Sequence, residues 1–198
     1  MHKAIGGGGY GRVFMCSDSA SGRRVAIKVF LDTQDAPREV SVYRKLADAP
    51  FPVVQLLDYD ITGAQPWLAM THFHCSTDFV RGLRGKPEDV KINGMTQVAQ
   101  GVAWLHSVRV AHLYLKPGNV IWDASTNHAY LIDFGMSVET DDAGAPVGEF
   151  SHAGVTAIYR PWELWMRPIS RSTNCFAVDA WSFGCVMAEV FIGKALFQ

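Results

Sequence analysis

The hydrophobic and polar positions in the first third of the chain follow one another in short alternating runs, which predict β-strands. Residues 4–30 contain two β-rich runs on either side of a glycine cluster. In the second run, Val25, Ile27 and Val29 alternate with other residues as in a strand with one buried face. Residues 51–59 and 66–73 predict two more strands, so the chain begins with a β-rich region.

Apolar residues recur at helical spacing in two later segments. Val40, Tyr43 and Leu46 follow Pro37, which suits the first turn of a helix. A longer helix is predicted between residues 93 and 107, where the apolar residues of one face are Met95, Val98, Val102 and Leu105. We expect both helices to contribute these faces to a core.

Composition and charge narrow the range of functions. The chain has 198 residues, of which 48% are hydrophobic and 19% are charged, as in ordinary globular proteins. Its net charge of -1 provides no electrostatic basis for binding nucleic acid or an anionic membrane. We find no apolar run of about 18 residues, and Cys16, Cys75, Cys175 and Cys185 are scattered as in proteins of a reducing compartment. The sequence therefore predicts an intracellular protein of the cytoplasm, the nucleus or both, with neither nucleic acid nor a membrane as its partner.

A glycine cluster near the start of the chain is a candidate phosphate-binding loop. Gly6, Gly8, Gly11 and Val13 form the pattern G-x-G-x-x-G-x-V. Without a Cβ atom, a backbone can come within hydrogen-bonding distance of a phosphate. Glycine clusters also form ordinary turns, and a dinucleotide-binding site would have a helix directly after the glycines. Here a strand comes next, with the motif Val-Ala-Ile-Lys that ends at Lys28, which disfavours a dinucleotide-binding site and leaves a phosphate-covering hairpin or an ordinary turn.

The most specific motif lies in residues 110–121, which read V-A-H-L-Y-L-K-P-G-N-V-I and precede Asp133-Phe134-Gly135. The pattern H-x-x-L-K-P-x-N followed by D-F-G resembles the catalytic and metal-binding loops of the eukaryotic protein kinases, in the serine/threonine form. One residue departs from the family. The kinases have H-R-D where this chain has His112-Leu113-Tyr114, so Tyr114 occupies the position of the aspartate that receives the substrate hydroxyl proton.

The resemblance implies an α+β, bilobal kinase-like fold. A small β-rich N-lobe is expected in residues 1–72, and an incomplete, mostly helical C-lobe in residues 73–198. Residues 178–197 are similar to the central helix of the large lobe, and Trp181, Val186 and Val190 are expected in its core. The last helices of the family have no counterpart, so we expect a truncated domain or an incomplete gene model.

The resemblance also implies an ATP site in the N-lobe. Lys28 is expected to bind the α- and β-phosphates, and Glu39 of the next helix to hold that lysine. Met70 is expected at the back of the adenine pocket, with the backbone of residues 71–73 along the purine edge. The residues that the resemblance assigns to ATP are Gly6, Gly8, Gly11, Val13, Ala26, Lys28, Glu39, Met70, Thr71 and Phe73.

In the C-lobe the resemblance implies a magnesium site and a catalytic lysine. Asn119 and Asp133 are expected to hold the magnesium ions that bridge the phosphates, and Lys116 to neutralise the transferred phosphate. Asparagine and aspartate near turns are often local caps, but their joint occurrence at this spacing favours metal binding. ATP and Mg²⁺ are therefore the expected cofactors.

A further set of residues is expected to support the site. His112 is expected to pack against the D-F-G turn, and Asp179 to bind the backbone of the catalytic loop. Glu163 belongs to a disturbed A-P-E motif, which reads P-W-E here. The residues with an expected structural role are His112, Phe134, Gly135, Glu163 and Asp179.

Residues 136–158 resemble the activation segment of cyclin-dependent kinases. Ser151 lies where those kinases carry an activating phosphothreonine, and V-T-x-x-Y-R at residues 155–160 matches the same group. We do not expect phosphorylation to act as a switch, because Leu113 replaces the arginine of H-R-D and only Arg38 persists. A cyclin-like partner is implied by the resemblance, although the short link between Lys28 and the next helix disfavours cyclin docking.

The sequence leaves three functions open, and with them the question of enzymatic activity. The first is a pseudokinase that binds ATP and magnesium and is impaired in phosphoryl transfer, because a phenol, with an ordinary pKa of about 10, is no general base at neutral pH. The second is an active serine/threonine kinase that transfers the ATP γ-phosphate to a protein hydroxyl, with another carboxylate or substrate positioning compensating. The third is a non-functional fragment with an exposed apolar face at residues 181–192. The first two predict a protein substrate or partner.

Overall fold

The structure is a computed structural model that describes residues 3–49, 53–73, 76–148 and 155–197. The chain divides into two compact units. One contains Met1–Asp48 and Val54–His74, and the other contains Ala49–Val53 and Cys75–Gln198. A five-stranded antiparallel sheet dominates the first unit and helices dominate the second, which confirms the predicted α+β class.

The first unit has five strands and one helix. They are β1 (Lys3–Gly8), β2 (Gly11–Ser17), β3 (Arg24–Phe30), α1 (Asp35–Lys45), β4 (Leu56–Asp60) and β5 (Trp67–Thr71). The strands form an antiparallel sheet in the order β1-β2-β3-β5-β4. The helix buries Ala36, Glu39, Val40, Val42 and Tyr43, and the spacing of all of these except Val42 places them close together on one helical face.

The alternation in β3 is present, but the prediction of its buried face was wrong. Ala26, Lys28 and Phe30 are the fully buried residues, whereas Val25 and its alternating apolar neighbours are half-buried. The reason is α1, since Glu39 on its buried face contacts Lys28. Hydrophobicity alone would predict that the other face of the strand, with Val25, Ile27 and Val29, is the buried one.

The second unit is built around two long helices and two small sheets. Its elements are β6 (Ser76–Asp78), α2 (Phe79–Leu83), α3 (Glu88–Ser107), β7 (Val110–Ala111), β8 (Val120–Asp123), β9 (His128–Leu131), β10 (Val138–Glu139), α4 (Glu163–Met166) and α5 (Cys175–Ile192). The sheets have the orders β6-β8-β9 and β10-β7. The predicted apolar face of α3 is buried, as expected.

The helix α5 begins and ends with clear capping signals. The Asn174 side chain accepts a hydrogen bond from the backbone N–H of Ala177 at 3.1 Å, and Gly193 ends the helix with a φ of 84°. Val186 and Val190 are buried as expected. The expectation for Trp181 was wrong, because its side chain is 39% exposed and its ring stacks on Phe197 at 6.0 Å.

By length and composition alone, α5 is apolar enough to cross a membrane, with a mean hydropathy of 1.6. The segment is not an uninterrupted apolar run, because Asp179 and Glu189 lie within it. The core helix of a soluble protein passes the same test, and 39% of α5 is buried. The finding is weak evidence for a membrane span.

Two glycines of the β1–β2 hairpin allow a matched test of packing. A Cβ atom added at Gly11 would lie 2.6 Å from the backbone oxygen of Val29, whereas one added at Gly8 would meet nothing within 4 Å. We therefore expect Gly11→Ala to lower the free energy of unfolding by about 1–3 kcal/mol, and Gly8→Ala to change it by less than about 0.5 kcal/mol. Urea unfolding measures both, and equal losses would contradict the packing argument.

Candidate functional site

A buried ion pair joins β3 to α1. The ammonium of Lys28 lies 2.6 Å from Oε2 of Glu39, and the two side chains are only 7% and 1% exposed. Lys28 also lies over the ring of Phe30, 5.3 Å from its centroid. Removing two charges from water costs much of what their attraction provides, so such a pair contributes little net stability. Its clear effect is to fix the position of a lysine ammonium.

The glycine hairpin shows where the protein itself requires glycine. Gly6 pairs with Val13 and Gly8 pairs with Gly11 across the β1–β2 hairpin. Only at Gly11 would a Cβ atom clash with the backbone, because β3 runs directly against it. At Gly6 the nearest atom would be Cβ of Val13, at an ordinary 3.8 Å. Internal packing therefore requires glycine at Gly11, whereas the backbone at Gly6 and Gly8 has room for the close approach of a ligand.

The remaining residues assigned to ATP lie on or next to β5. Ala26 pairs with Met70 across β3 and β5, and the Tyr43 hydroxyl donates to Sδ of Met70 at 3.0 Å. The backbone N–H of Thr71 donates to the Gln55 oxygen at 3.0 Å, so this N–H is already used within the sheet. Phe73 is half-buried and follows the end of β5.

In the second unit, one buried carboxylate binds the backbone of the predicted catalytic loop. Asp179 of α5 accepts hydrogen bonds from the N–H groups of His112 at 2.7 Å and Leu113 at 2.8 Å. His106 lies 3.0 Å from the same carboxylate and stacks on Phe176. Leu113 has a φ of 58°, a left-handed conformation that is unusual for a bulky residue. Asp179 therefore stabilises a strained backbone.

The imidazole of His112 connects this loop to the Asp133-Phe134-Gly135 turn. Its Nδ1 accepts a hydrogen bond from the backbone N–H of Tyr114 at 3.2 Å, while Nε2 lies 3.1 Å from the Ile132 oxygen. Its ring centroid lies 5.2 Å from that of Phe134, which is buried like Gly135. One acceptor and one donor nitrogen describe a neutral imidazole, and burial lowers the pKa of His112 below its ordinary value.

Asn119 and Asp133 carry the oxygen ligands that suit magnesium. Nδ2 of Asn119 donates to the Tyr114 oxygen at 2.8 Å, which leaves its Oδ1 as an acceptor. The backbone oxygen of Asn119 accepts from the N–H of Ile132 at 3.1 Å, which ties it to the segment that carries Asp133. Within the described ranges, no three His, Cys, Asp or Glu side chains form a metal-binding group. This donor set fits Mg²⁺, which commonly takes one or two protein ligands and completes its shell with phosphate and water.

The structure also reveals a contact that sequence reasoning missed. The ammonium of Lys116 lies 3.9 Å from the centroid of the Tyr114 ring. The signal in the sequence is the two-residue spacing of Tyr114 and Lys116, which places both side chains on one side of an extended segment.

The other predicted residues lie apart from this cluster. Glu163 is exposed in the first turn of α4, where no ion pair joins it to another described residue. Arg38 forms an ion pair with Asp35 at 2.7 Å, so its guanidinium already has a partner. Ser151 lies outside the described residues. A cavity of about 210 Å³ near α4 is lined by residues 160 and 164–169 and includes none of the predicted ATP or metal residues.

Comparisons with known proteins agree with the arrangement of these motifs. A family model described as "Protein kinase domain" matches residues 1–198. The curated protein "Cyclin-dependent kinase B2-1" of Arabidopsis thaliana is 30% identical over an alignment of 211 positions, which includes 98% of this chain. The same alignment covers 65% of that relative, so the chain spans about two thirds of its length.

In the buried ion pair, the effect on stability of removing one charge depends on whether the other charge is present. We expect Lys28→Met and Glu39→Gln each to lower the free energy of unfolding by about 3–5 kcal/mol, because each leaves a buried charge without this partner. The double variant is expected to cost clearly less than the sum. Urea unfolding of all four proteins measures the coupling.

The partly exposed pair of Arg38 and Asp35 provides the control for that experiment. Arg38→Met is expected to cost only about 0–1 kcal/mol. Strictly additive losses for Lys28 and Glu39 would contradict the interdependence of the buried pair.

The buried His112 predicts a pH dependence of stability. Burial lowers its pKa below the ordinary value of 6.5, so the unfolded chain binds a proton more readily than the folded one. This contribution to stability is present above about pH 6.5 and is lost as the pH falls towards the lower folded-state pKa. Urea unfolding between about pH 7.5 and pH 5.5 should therefore show a smaller decline for His112→Asn than for the wild type. Identical declines would exclude His112 as the source.

Proposed function

The chain belongs to the protein kinase family, and we propose that it is a cyclin-dependent-like serine/threonine kinase domain that binds ATP and magnesium but is impaired in phosphoryl transfer. The observation that carries this proposal is the pairing of Tyr114 with Lys116 in a loop that otherwise has the kinase arrangement. A phenol stands where the family has a carboxylate, and it contacts the lysine assigned to the transferred phosphate.

Nucleotide binding is supported by the residues that the chain retains. Protein kinases generally use ATP and Mg²⁺, and Lys28 is held by Glu39 at 2.6 Å in the position assigned to the α- and β-phosphates. The open sides of Gly6 and Gly8 suit a backbone that approaches phosphate oxygens. In the second unit, Asn119 and Asp133 would hold magnesium, which neutralises phosphate charge when it is bound.

Impaired transfer is supported by what the loop lacks. A positioned general base contributes about 10²–10⁴ in rate, and a phenol at neutral pH does not supply one. Two hydrogen bonds fix the backbone of Tyr114: its N–H donates to Nδ1 of His112, and its oxygen accepts from Nδ2 of Asn119. The loop therefore presents an aromatic ring where the substrate hydroxyl of an active kinase would approach.

The partner that fits this proposal is a protein. Kinases act on protein hydroxyls, and a domain that transfers phosphate poorly would act through a protein that recognises its surface. A cyclin-like partner is the specific form suggested by the relative and by residues 37–46. We propose an intracellular location, in the cytoplasm, the nucleus or both, because the scattered cysteines suit a reducing compartment.

Two measurements on the purified chain test the proposal. In a thermal melt, ATP with magnesium is expected to raise the melting temperature, because a ligand at 100 times its Kd stabilises a fold by about 2.7 kcal/mol. Asp133→Asn is expected to reduce the part of this increase in melting temperature that depends on magnesium. In a kinase assay on a generic protein substrate, Tyr114→Asp is expected to raise the rate by about 10²–10⁴ over the wild type.

Tyr114→Asn is the matched control, because it also removes the ring but supplies no carboxylate. It should gain much less activity than Tyr114→Asp. Ordinary kinase rates in the wild type would instead establish an active enzyme. A cooperative melt without a shift would refute nucleotide binding, and the lack of any cooperative melt would favour a non-functional fragment.

A further inference from the structure

Tyr114 and Lys116 form the closest cation–aromatic contact among the described residues. The ammonium lies 3.9 Å from the ring centroid, compared with 5.1–5.3 Å for the pairs Lys28–Phe30, Arg44–Tyr59 and Arg160–Trp165. A cation over an aromatic face within about 6 Å is attracted by the ring quadrupole. This contact therefore has the geometry of a cation–π interaction.

The extended backbone at Lys116 and the alternating burial of residues 114–116 account for the meeting of these two side chains. Lys116 has an extended conformation, with a φ of -161° and a ψ of 163°. Along an extended segment, residues two apart lie on the same side and the residue between them points away. Leu115 is buried, as expected for the opposite side, while Tyr114 and Lys116 are half-buried.

The hydrogen bonds of the loop hold the backbones of Tyr114 and Lys116 in place relative to each other. Asn119 binds both residues, because its Nδ2 donates to the Tyr114 oxygen at 2.8 Å and its backbone N–H donates to the Lys116 oxygen at 2.9 Å. No described residue forms a hydrogen bond with the Tyr114 hydroxyl, and no described carboxylate forms an ion pair with Lys116. The face of the ring is thus the contact that the described residues offer to the ammonium.

We propose that Tyr114 is a positioning residue for Lys116, whose ammonium it holds on its ring face in competition with the phosphate. The substitution then does two things: it removes a base, and it gives the lysine an alternative partner. The competition with phosphate rests on the proposed function, whereas the contact itself requires no nucleotide. The two parts can therefore be tested separately.

Solution NMR of the full chain with isotope-labelled lysine tests the contact directly. The Cε-bound protons of Lys116, assigned by their loss in Lys116→Arg, are expected to be shifted upfield by the ring in the wild type. Tyr114→Phe should preserve the shift, because it keeps the ring and removes only the hydroxyl. Tyr114→Leu should abolish it. Ordinary Lys116 shifts in the wild type overturn the proposal even if a variant fails to fold.

Calorimetric affinities for ATP and ADP test the competition. Tyr114→Leu is expected to favour ATP over ADP by about 2- to 30-fold more than the wild type, the factor that corresponds to a cation–π energy of about 0.5–2 kcal/mol. Tyr114→Phe should leave the ratio near that of the wild type. In Lys116→Met, adding Tyr114→Leu should no longer change the ratio, because the lysine is absent.

The two experiments separate failure of the proposed function from failure of the inference. If the wild type binds neither nucleotide, the proposed function fails, and the NMR shift still decides whether the ring holds the lysine. If nucleotides bind but Tyr114→Leu leaves the ratio of ATP to ADP affinity unchanged, the ring does not compete with phosphate and that part is refuted.

Discussion

The loop that contains His112, Tyr114 and Lys116 depends on one buried carboxylate. Asp179 binds two consecutive backbone N–H groups, at His112 and at Leu113, and so stabilises a left-handed turn that a leucine rarely adopts. The positions of the His112 ring, of Tyr114 and of the residues after it follow from this turn. Because the carboxylate belongs to α5, the long helix positions the loop as well as contributing to the core.

Under the proposed function, the second unit keeps the lysine and the magnesium ligands assigned to phosphoryl transfer and lacks one charge, because Tyr114 stands in place of a carboxylate. A carboxylate beside Lys116 would attract the ammonium through its negative charge and could also accept a proton. The ring of Tyr114 attracts the ammonium only through its quadrupole. Under the proposed function, Lys116 is therefore kept in the loop while the general base is lost. This combination supports the proposal of a domain that binds nucleotide and transfers phosphate poorly.

The first unit shows a different relation between stability and function. The buried pair of Lys28 and Glu39 is a weak source of stability, since similar apolar side chains would fill the space without the cost of desolvation. Its value lies in a lysine ammonium held at a fixed place on β3. Gly11, in contrast, is required for stability, because its lack of a side chain allows β2 to pack against β3.

The sequence by itself determined the α+β class, the approximate strands and helices, and the order of the loop motifs, because periodicity and short-range spacing are local properties. It did not determine which face of β3 is covered, that Trp181 is exposed, or that the Tyr114 ring meets Lys116. Alternation distinguishes two faces of a strand or helix, but burial depends on what packs against them. That packing, like the backbone turn at Leu113, is decided by residues far along the chain, and only the tertiary structure brings them together.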